Sequence, residues 1–399
     1  MSAVAVSGTG VVTARRALLI AGILLVAANL RGAITSVGPL LETIRRDEGM
    51  SAGQAGLLSA LPLLTFAVFS PQVPRLARRV GMERSLWLAM VTLTAGILLR
   101  SVPVTGLLWL GTVLLGMSIA VGNVLLPALL KRDFPDRVAP MTSLYSVTMG
   151  LVGALVSGFA VPLAGTLSGG WRMALGCTAG LALVTVAVWG PQVFHRSSTP
   201  VNVVTPSDTA RRTPWRSALA WQVTAFMGLQ SFGFYIVLAW FPTILHSQGA
   251  SEESSGWLLL VLQVLGVSMS AVIPLVANKL PDQRLLAAGG SLLSFTGYLG
   301  LLLAPGLAVL WVVIVGLASG VCFVLALLFF TLRSADSYSA ATLSGMAQSF
   351  GYLFATLGPV VFGALHDATN GWVAPMIMLL AAASVQSCFG FGAGRNRVV

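Results

Sequence analysis

The sequence predicts an all-α membrane protein of twelve transmembrane helices in two six-helix halves. Three observations carry that reading. The 399 residues are 56% hydrophobic and only 9% charged, with a mean hydropathy of +0.89, whereas soluble domains carry roughly 25% charged residues. Apolar runs near the length a bilayer demands, about 20 residues, recur along the chain. The basic residues then sort onto alternate loops, as a threaded chain requires.

The first run, 17–41, follows Arg15-Arg16 and holds 25 residues, about 37 Å of helix at 1.5 Å per residue. A secretory signal has an apolar core of roughly 7–15 residues, so this run reads as a first transmembrane helix. Hydropathy places the next five at 55–74, 85–102, 106–130, 140–165 and 172–192. The stretch 193–216 is the longest polar break. It contains Pro, Ser, Thr and Asp and then Arg211-Arg212, and it reads as a flexible linker between a first half, 1–192, and a second, 217–399. Six further helices follow at 217–245, 256–278, 285–304, 307–332, 341–365 and 373–393. Gly38-Pro39, Pro127, Pro242 and Gly358-Pro359 mark bending points, because proline removes a ladder bond.

Charge sets the topology. With the N-terminus inside, eighteen of the 23 Lys and Arg residues fall in cytoplasmic segments, and four, Arg45, Arg46, Arg100 and Arg172, fall outside. The net charge of +11 is therefore positive-inside bias and not a nucleic-acid patch. Both termini are expected in the cytoplasm and the protein in the inner (plasma) membrane. The halves also echo each other. Gly106-Leu107 and Gly306-Leu307, Gly116 and Gly316, and Val121 and Val321 recur at an offset of 200. Gly150 and Gly351, and Gly170-Trp171 and Gly371-Trp372, recur at 201. Such internal similarity marks a transporter built from repeats, with a central site between them.

Arg31 is the remaining cation, close to the middle of the first run. A charge at that depth costs at least about 2.5–3.5 kcal/mol, and a guanidinium does not shed its proton to escape. No Asp or Glu lies within the membrane-spanning runs to pair with it, which points to an anionic solute; the competing role is a clamp onto backbone carbonyls. Asn29 faces another side and is expected to bond a neighbouring helix. Asn123, Gln230, Gln263 and Gln348 are amides deep in their runs, and buried amides need partners. They serve either a solute or helix association, the latter worth about 0.6–2 kcal/mol. Tyr235, Trp240 and Tyr352 accompany them. The i,i+4 spacing puts Gln348 and Tyr352 on one face, whereas Trp240 sits near the outer end, where a belt or gate role competes.

Other chemistries find no support. Cys177, Cys322 and Cys388 are isolated in apolar segments and read as packing residues. His195, His246 and His366 are scattered in loops, so no metal or cofactor is expected. There is no carboxylate pair and no nucleophile–base pair, so the chain does not read as an enzyme, and neither terminus nor linker is long enough for a sensor's output domain. Glu42 lies eleven residues past Arg31, about 16 Å along a helix, too far to touch it. No carboxylate in the membrane core is therefore expected to carry a coupling proton.

Four strings together resemble the CynX/NimT (cyanate/2-nitroimidazole transporter) branch of the major facilitator superfamily. They are Asn29-Leu30-Arg31-Gly32 running on to Gly38-Pro39; Gly122-Asn123-Val124-Leu125-Leu126-Pro127; Met227-Gly228-Leu229-Gln230-Ser231 with Phe234-Tyr235 and Trp240-Phe241-Pro242; and Ser344-Gly345-Met346-Ala347-Gln348-Ser349-Phe350-Gly351-Tyr352 with Gly358-Pro359. The resemblance implies the superfamily fold and a secondary transporter working by alternating access. Spans 1, 4, 7 and 10 would line the cavity, with 5, 8 and 11 beside them. It implies Arg31, Asn123, Gln230, Tyr235, Trp240, Gln348 and Tyr352 as the solute-binding set. The favoured solute is a small anion of the cyanate type, and the alternative is a neutral heterocycle such as a nitroimidazole. The partners are then a small molecule and the lipid bilayer; a monomer is compatible with the sequence, which sets no oligomeric state. The superfamily's loop between spans two and three is degenerate here: Arg79 and Gly81 are kept, Arg78 takes the acidic position, and Glu83 stands nearby. Of the fifth-span antiporter pattern only Pro162 and Gly165 fit.

Overall fold

The computed structural model describes residues 6–50, 52–104, 106–194 and 214–399. Among them secondary structure is helical throughout. The helices are α1 (Val6–Thr35), α2 (Val37–Asp47), α3 (Ala52–Phe69), α4 (Val73–Val80), α5 (Met82–Ser101), α6 (Leu107–Asp133), α7 (Val138–Thr166), α8 (Gly170–Gly176), α9 (Thr178–Phe194), α10 (Ala218–Ser247), α11 (Glu252–Ala277), α12 (Arg284–Leu303), α13 (Ala308–Leu332), α14 (Ser337–Thr369) and α15 (Val373–Ala393). Twelve stretches among the described residues are long and apolar enough to cross a membrane, from Arg16–Leu41 to Val373–Ala393. They match the twelve predicted runs one for one.

The differences lie at helix ends, where polar chemistry and not hydropathy sets the limit. The eleventh span begins at Ser337 rather than 341 because Asp336 caps it: its Oδ1 accepts from the Ser339 N–H at 2.7 Å. Ser251 caps α11 in the same way, accepting from Ser254 N at 3.1 Å. The second span runs on to Val80 because a 3-10 turn, Ser70–Gln72, carries the chain past Pro71 into α4. The first span is interrupted at Ser36, between α1 and α2. Pro39 has no N–H to return to the Thr35 carbonyl.

The chain forms two compact units. The first comprises Met1–Pro62, Arg75–Leu126 and Thr148–Ser207. One part of its core gathers Leu40, Ile44, Leu58, Leu108, Ala160, Trp171 and Leu175. The second comprises Leu63–Pro74, Pro127–Val147 and Asp208–Val399, with Phe232, Ile236, Phe241, Leu301, Val315, Phe362 and Leu379 in its core. The second unit thus includes 63–74 and 127–147, which a division at the 193–216 linker assigns to the first half. Two of the divisions fall beside prolines inside helices: after Pro62 of α3 and before Pro127 of α6. Polar contacts within the unit hold these segments. Ser349 Oγ donates to the Ala67 carbonyl, Lys131 Nζ to the Thr331 carbonyl at 2.8 Å, and Ser143 Oγ to the Ala271 carbonyl at 2.9 Å. Linker residues 195–213 lie outside the described residues.

Small residues set the closest helix crossings, as apolar surroundings favour. At α11–α13, a Cβ added to Gly316 would lie 2.8 Å from the Leu262 carbonyl oxygen, and one on Gly320 would lie 2.8 Å from both Gly266 Cα and Met269 Cβ. The repeated glycine at 316 is thus a packing residue. Gly320→Ala should cost about 1–3 kcal/mol by overpacking, read as a lower thermal midpoint of the purified protein; an unchanged midpoint would show that the crossing relaxes freely.

Two sequence expectations need correction. Only Cys322 is buried; Cys177, in the turn between α8 and α9, and Cys388, on α15, are exposed. His246 and His366 sit in the last turns of α10 and α14 rather than in loops; His195 lies outside the described residues.

Candidate functional site

In the first unit the site is built on α1, α6 and α7. Arg31 is half-buried in the last turn and a half of α1. Its aliphatic stem lies across Gly153 of α7: a Cβ there would stand 2.8 Å from Arg31 Cγ and 3.3 Å from Arg31 Cβ. Gly32 packs beside it, with Val156 Cγ2 3.4 Å from its would-be Cβ. Thr35 Oγ1 donates to the Gly153 carbonyl at 2.9 Å. The glycine is therefore a seat for the guanidinium's stem. On α6, Gly122 receives the Leu30 side chain, which sets Asn123, half-buried, on the helix that faces residues adjoining Arg31. As its position predicts, Asn29 turns elsewhere, and its Nδ2 donates to Thr185 Oγ1 of α9 at 2.8 Å.

The charge count puts Arg100 on the outer side, at the end of the 85–102 run. The structure buries it to 1% exposure. Nη1 donates to the Ala33 carbonyl at 2.9 Å and Nη2 to Ser36 Oγ at 3.4 Å. It therefore meets the first span at its interruption.

In the second unit the candidates lie on α10 and α14. These helices cross where Gly228 faces Gly351, a Cβ on the former standing 3.1 Å from the latter's Cα. Gln230 and Gln348 flank that crossing, both buried. Ser231 Oγ donates to Gln230 Oε1 at 3.3 Å, and Gln348 Nε2 donates to Ser344 Oγ one turn back at 2.8 Å. Tyr352 lies one turn beyond Gln348 on the same continuous helix, its ring 5.2 Å from that of Phe66. Tyr235 packs edge-on to Phe234 at 5.4 Å. Trp240 stands apart. Its indole N–H donates to the Pro359 carbonyl at 2.9 Å, and its ring joins Phe362 and Trp372 at 6.3 and 5.9 Å. Arg31 and Asn123 thus belong to one unit and Gln230, Tyr235, Trp240, Gln348 and Tyr352 to the other. Sequence reasoning missed Gly153, Ser344 and Arg100. The side chain of Glu42 lies outside the described residues.

Among the described residues no group of three His, Cys, Asp or Glu could hold a metal ion. Taken by itself, the first unit offers a cation seated on a glycine and a half-buried amide, and the second offers two buried amides and aromatic rings. A profile of the Major Facilitator Superfamily matches residues 20–359. The chain belongs to this superfamily. Its members are transporters, not enzymes. The chain is 44% identical to the 2-nitroimidazole transporter of Escherichia coli (strain K12), over 96% of this chain and 97% of that one. It is 29% identical to the cyanate transport protein CynX of the same organism, over 88% and 90%. It is a superfamily transporter of the CynX/NimT type, as the four strings predict, and a multi-pass membrane protein. The solved structure of the proton:xylose symporter XylE bound to 6-bromo-6-deoxy-D-glucose superposes with a TM-score of 0.74 at 16% identity, covering 94% of each chain. That likeness bears on the fold alone.

Proposed function

We propose that this superfamily transporter carries a small planar solute across the plasma membrane by alternating access, and that Arg31 binds the solute's oxygen-bearing end. The observation that carries the reading is the seat of Arg31: a guanidinium in the middle of a membrane span, its stem held on a glycine. A planar fork of N–H donors suits a group with two coplanar oxygens or a small anion through charge-assisted hydrogen bonds. A nitro group and a carboxylate share that shape. The higher identity to the 2-nitroimidazole transporter, 44% against 29% for CynX, favours a nitro-substituted heterocycle over the cyanate-type anion that Arg31 suggests by itself. Cyanate is the second reading, supported by the lone mid-span cation. Asn123, Gln230 and Gln348 supply amide contacts, and Tyr235, Tyr352 and Trp240 supply flat surfaces for a ring. Positive-inside bias supports a reading in which both termini and the Lys131 end of the helices face the cytoplasm. In this reading the two halves joined by the 193–216 linker are the moving parts.

Counterflow in proteoliposomes tests this. Liposomes loaded with 2-nitroimidazole should transiently concentrate labelled 2-nitroimidazole and should respond weakly to unsubstituted imidazole. Counterflow by cyanate but not by 2-nitroimidazole would make the second reading the right one. Counterflow by neither would sink both.

A further inference from the structure

Among the described residues Arg100 is the most deeply buried charge in the first unit, and solute binding as described so far does not use it. Arg100 sits in the last turn of α5, where a long basic side chain ordinarily snorkels towards water. It is instead turned inward at 1% exposure, and among the described residues no acidic side chain forms an ion pair with it. Burying an ion costs several kcal/mol even after relaxation, so the contacts it makes there must matter. Those contacts converge on one place. Nη1 reaches the Ala33 carbonyl at 2.9 Å, and Nη2 reaches Ser36 Oγ at 3.4 Å. Ser36 Oγ itself donates to the Ala33 carbonyl at 3.2 Å.

Ala33 lies in the final turn of α1, whose last carbonyls have no partner within the helix. A cation there satisfies the carbonyl and meets the negative end of the helix dipole. Arg100 is thus a C-cap supplied by a different helix. Its own backbone is fixed: a Cβ on Gly111 of α6 would lie 2.7 Å from Arg100 N, and one on Gly96 would lie 2.8 Å from the Gly111 carbonyl oxygen. The final turn of α1 is held from a second side by Thr35 Oγ1 on the Gly153 carbonyl at 2.9 Å. Arg31 adjoins that turn, two residues before Ala33.

We infer that Arg100 is a positioning residue for Arg31: it caps the interrupted first span from α5 and fixes the turn that presents the solute-binding guanidinium. The inference rests on the reading of Arg31 as the solute contact, but its structural half is testable without any solute.

The first measurement is hydrogen exchange on purified Arg100→Met. Amides around the interruption, residues 33–38, should exchange at least tenfold faster than in the unmodified protein, while α9 and the second unit keep their protection. Unchanged protection at 33–38 would overturn the inference, as would uniform loss of protection. Should Arg100→Met fail to fold, Ser36→Ala removes one contact without stranding a charge, and a smaller local increase at the same amides is expected; none would overturn it.

The second measurement is a double-mutant cycle on 2-nitroimidazole affinity with Arg100→Met and Arg31→Gln. Arg100→Met should weaken binding about tenfold when Arg31 is present and hardly at all in the Arg31→Gln background. The fall in thermal midpoint should be alike in both. An equal affinity loss in both backgrounds, or none with Arg31 present, would overturn the positioning role. If Arg31→Gln alone leaves affinity unchanged, the proposed solute contact fails instead, and the exchange result still decides whether Arg100 holds the turn.

Discussion

Replacing Arg31 by lysine should abolish most transport, although the charge is kept. Lysine presents a compact ammonium on a flexible stem, whereas arginine presents a rigid planar fork. A hydrogen bond to a charged group is worth about 1.5–3 kcal/mol, so losing one prong should weaken the solute's affinity about 10- to 100-fold. Arg31→Gln removes the charge as well and should be at least as severe. Both variants should reach the membrane at normal levels. Near-normal uptake by Arg31→Lys would mean that charge alone matters, and near-normal uptake by Arg31→Gln would make Arg31 a structural clamp.

The second large effect is expected from a residue with no side chain. Gly153→Ala puts a methyl 2.8 Å from Arg31 Cγ, closer than carbon atoms pack. α7 stays helical, because alanine is a better helix former than glycine by about 1 kcal/mol, and the flexible Arg31 stem is the softer of the two partners in the contact. The guanidinium stem must therefore swing out of its seat. Overpacking of this kind costs about 1–3 kcal/mol. Here the cost should appear as a rise of about tenfold or more in the solute's Kd, with the thermal midpoint little changed. Unaltered affinity in a folded Gly153→Ala protein would show that the stem's position is irrelevant to binding.

The contrast between these residues shows what the sequence makes legible. The twelve helices could be read because a bilayer sorts residues by hydropathy over some twenty positions, and Arg31 stood out because nothing charged surrounds it there. Arg100 gave no such signal. At the end of a span a long basic side chain ordinarily snorkels to the interface at little cost. Its inward turn follows from tertiary packing: the Gly96 and Gly111 contact draws α5 onto α6, and the interruption at Ser36 leaves a carbonyl to be capped. Gly153 was equally silent among 43 glycines, since its meaning lies in the Arg31 stem 122 positions away. The pairing of Trp240 with the Pro359 carbonyl of α14 could not be read either, because hydropathy orders helices along the chain and does not say which faces meet. Asp336 was readable in principle. An Asp three residues before Ser339 is a cap signal, but it lies outside the apolar run that located the eleventh helix.

The central claim is that Arg31 reads the oxygen-bearing end of a small planar solute. The most direct measurement compares counterflow of 2-nitroimidazole and unsubstituted imidazole in proteoliposomes holding either the unmodified protein or Arg31→Gln. The unmodified protein should prefer the nitro compound by about tenfold or more, and Arg31→Gln should lose that preference while passing both poorly. A preference of the same size in both proteins would contradict the claim and move solute recognition away from Arg31.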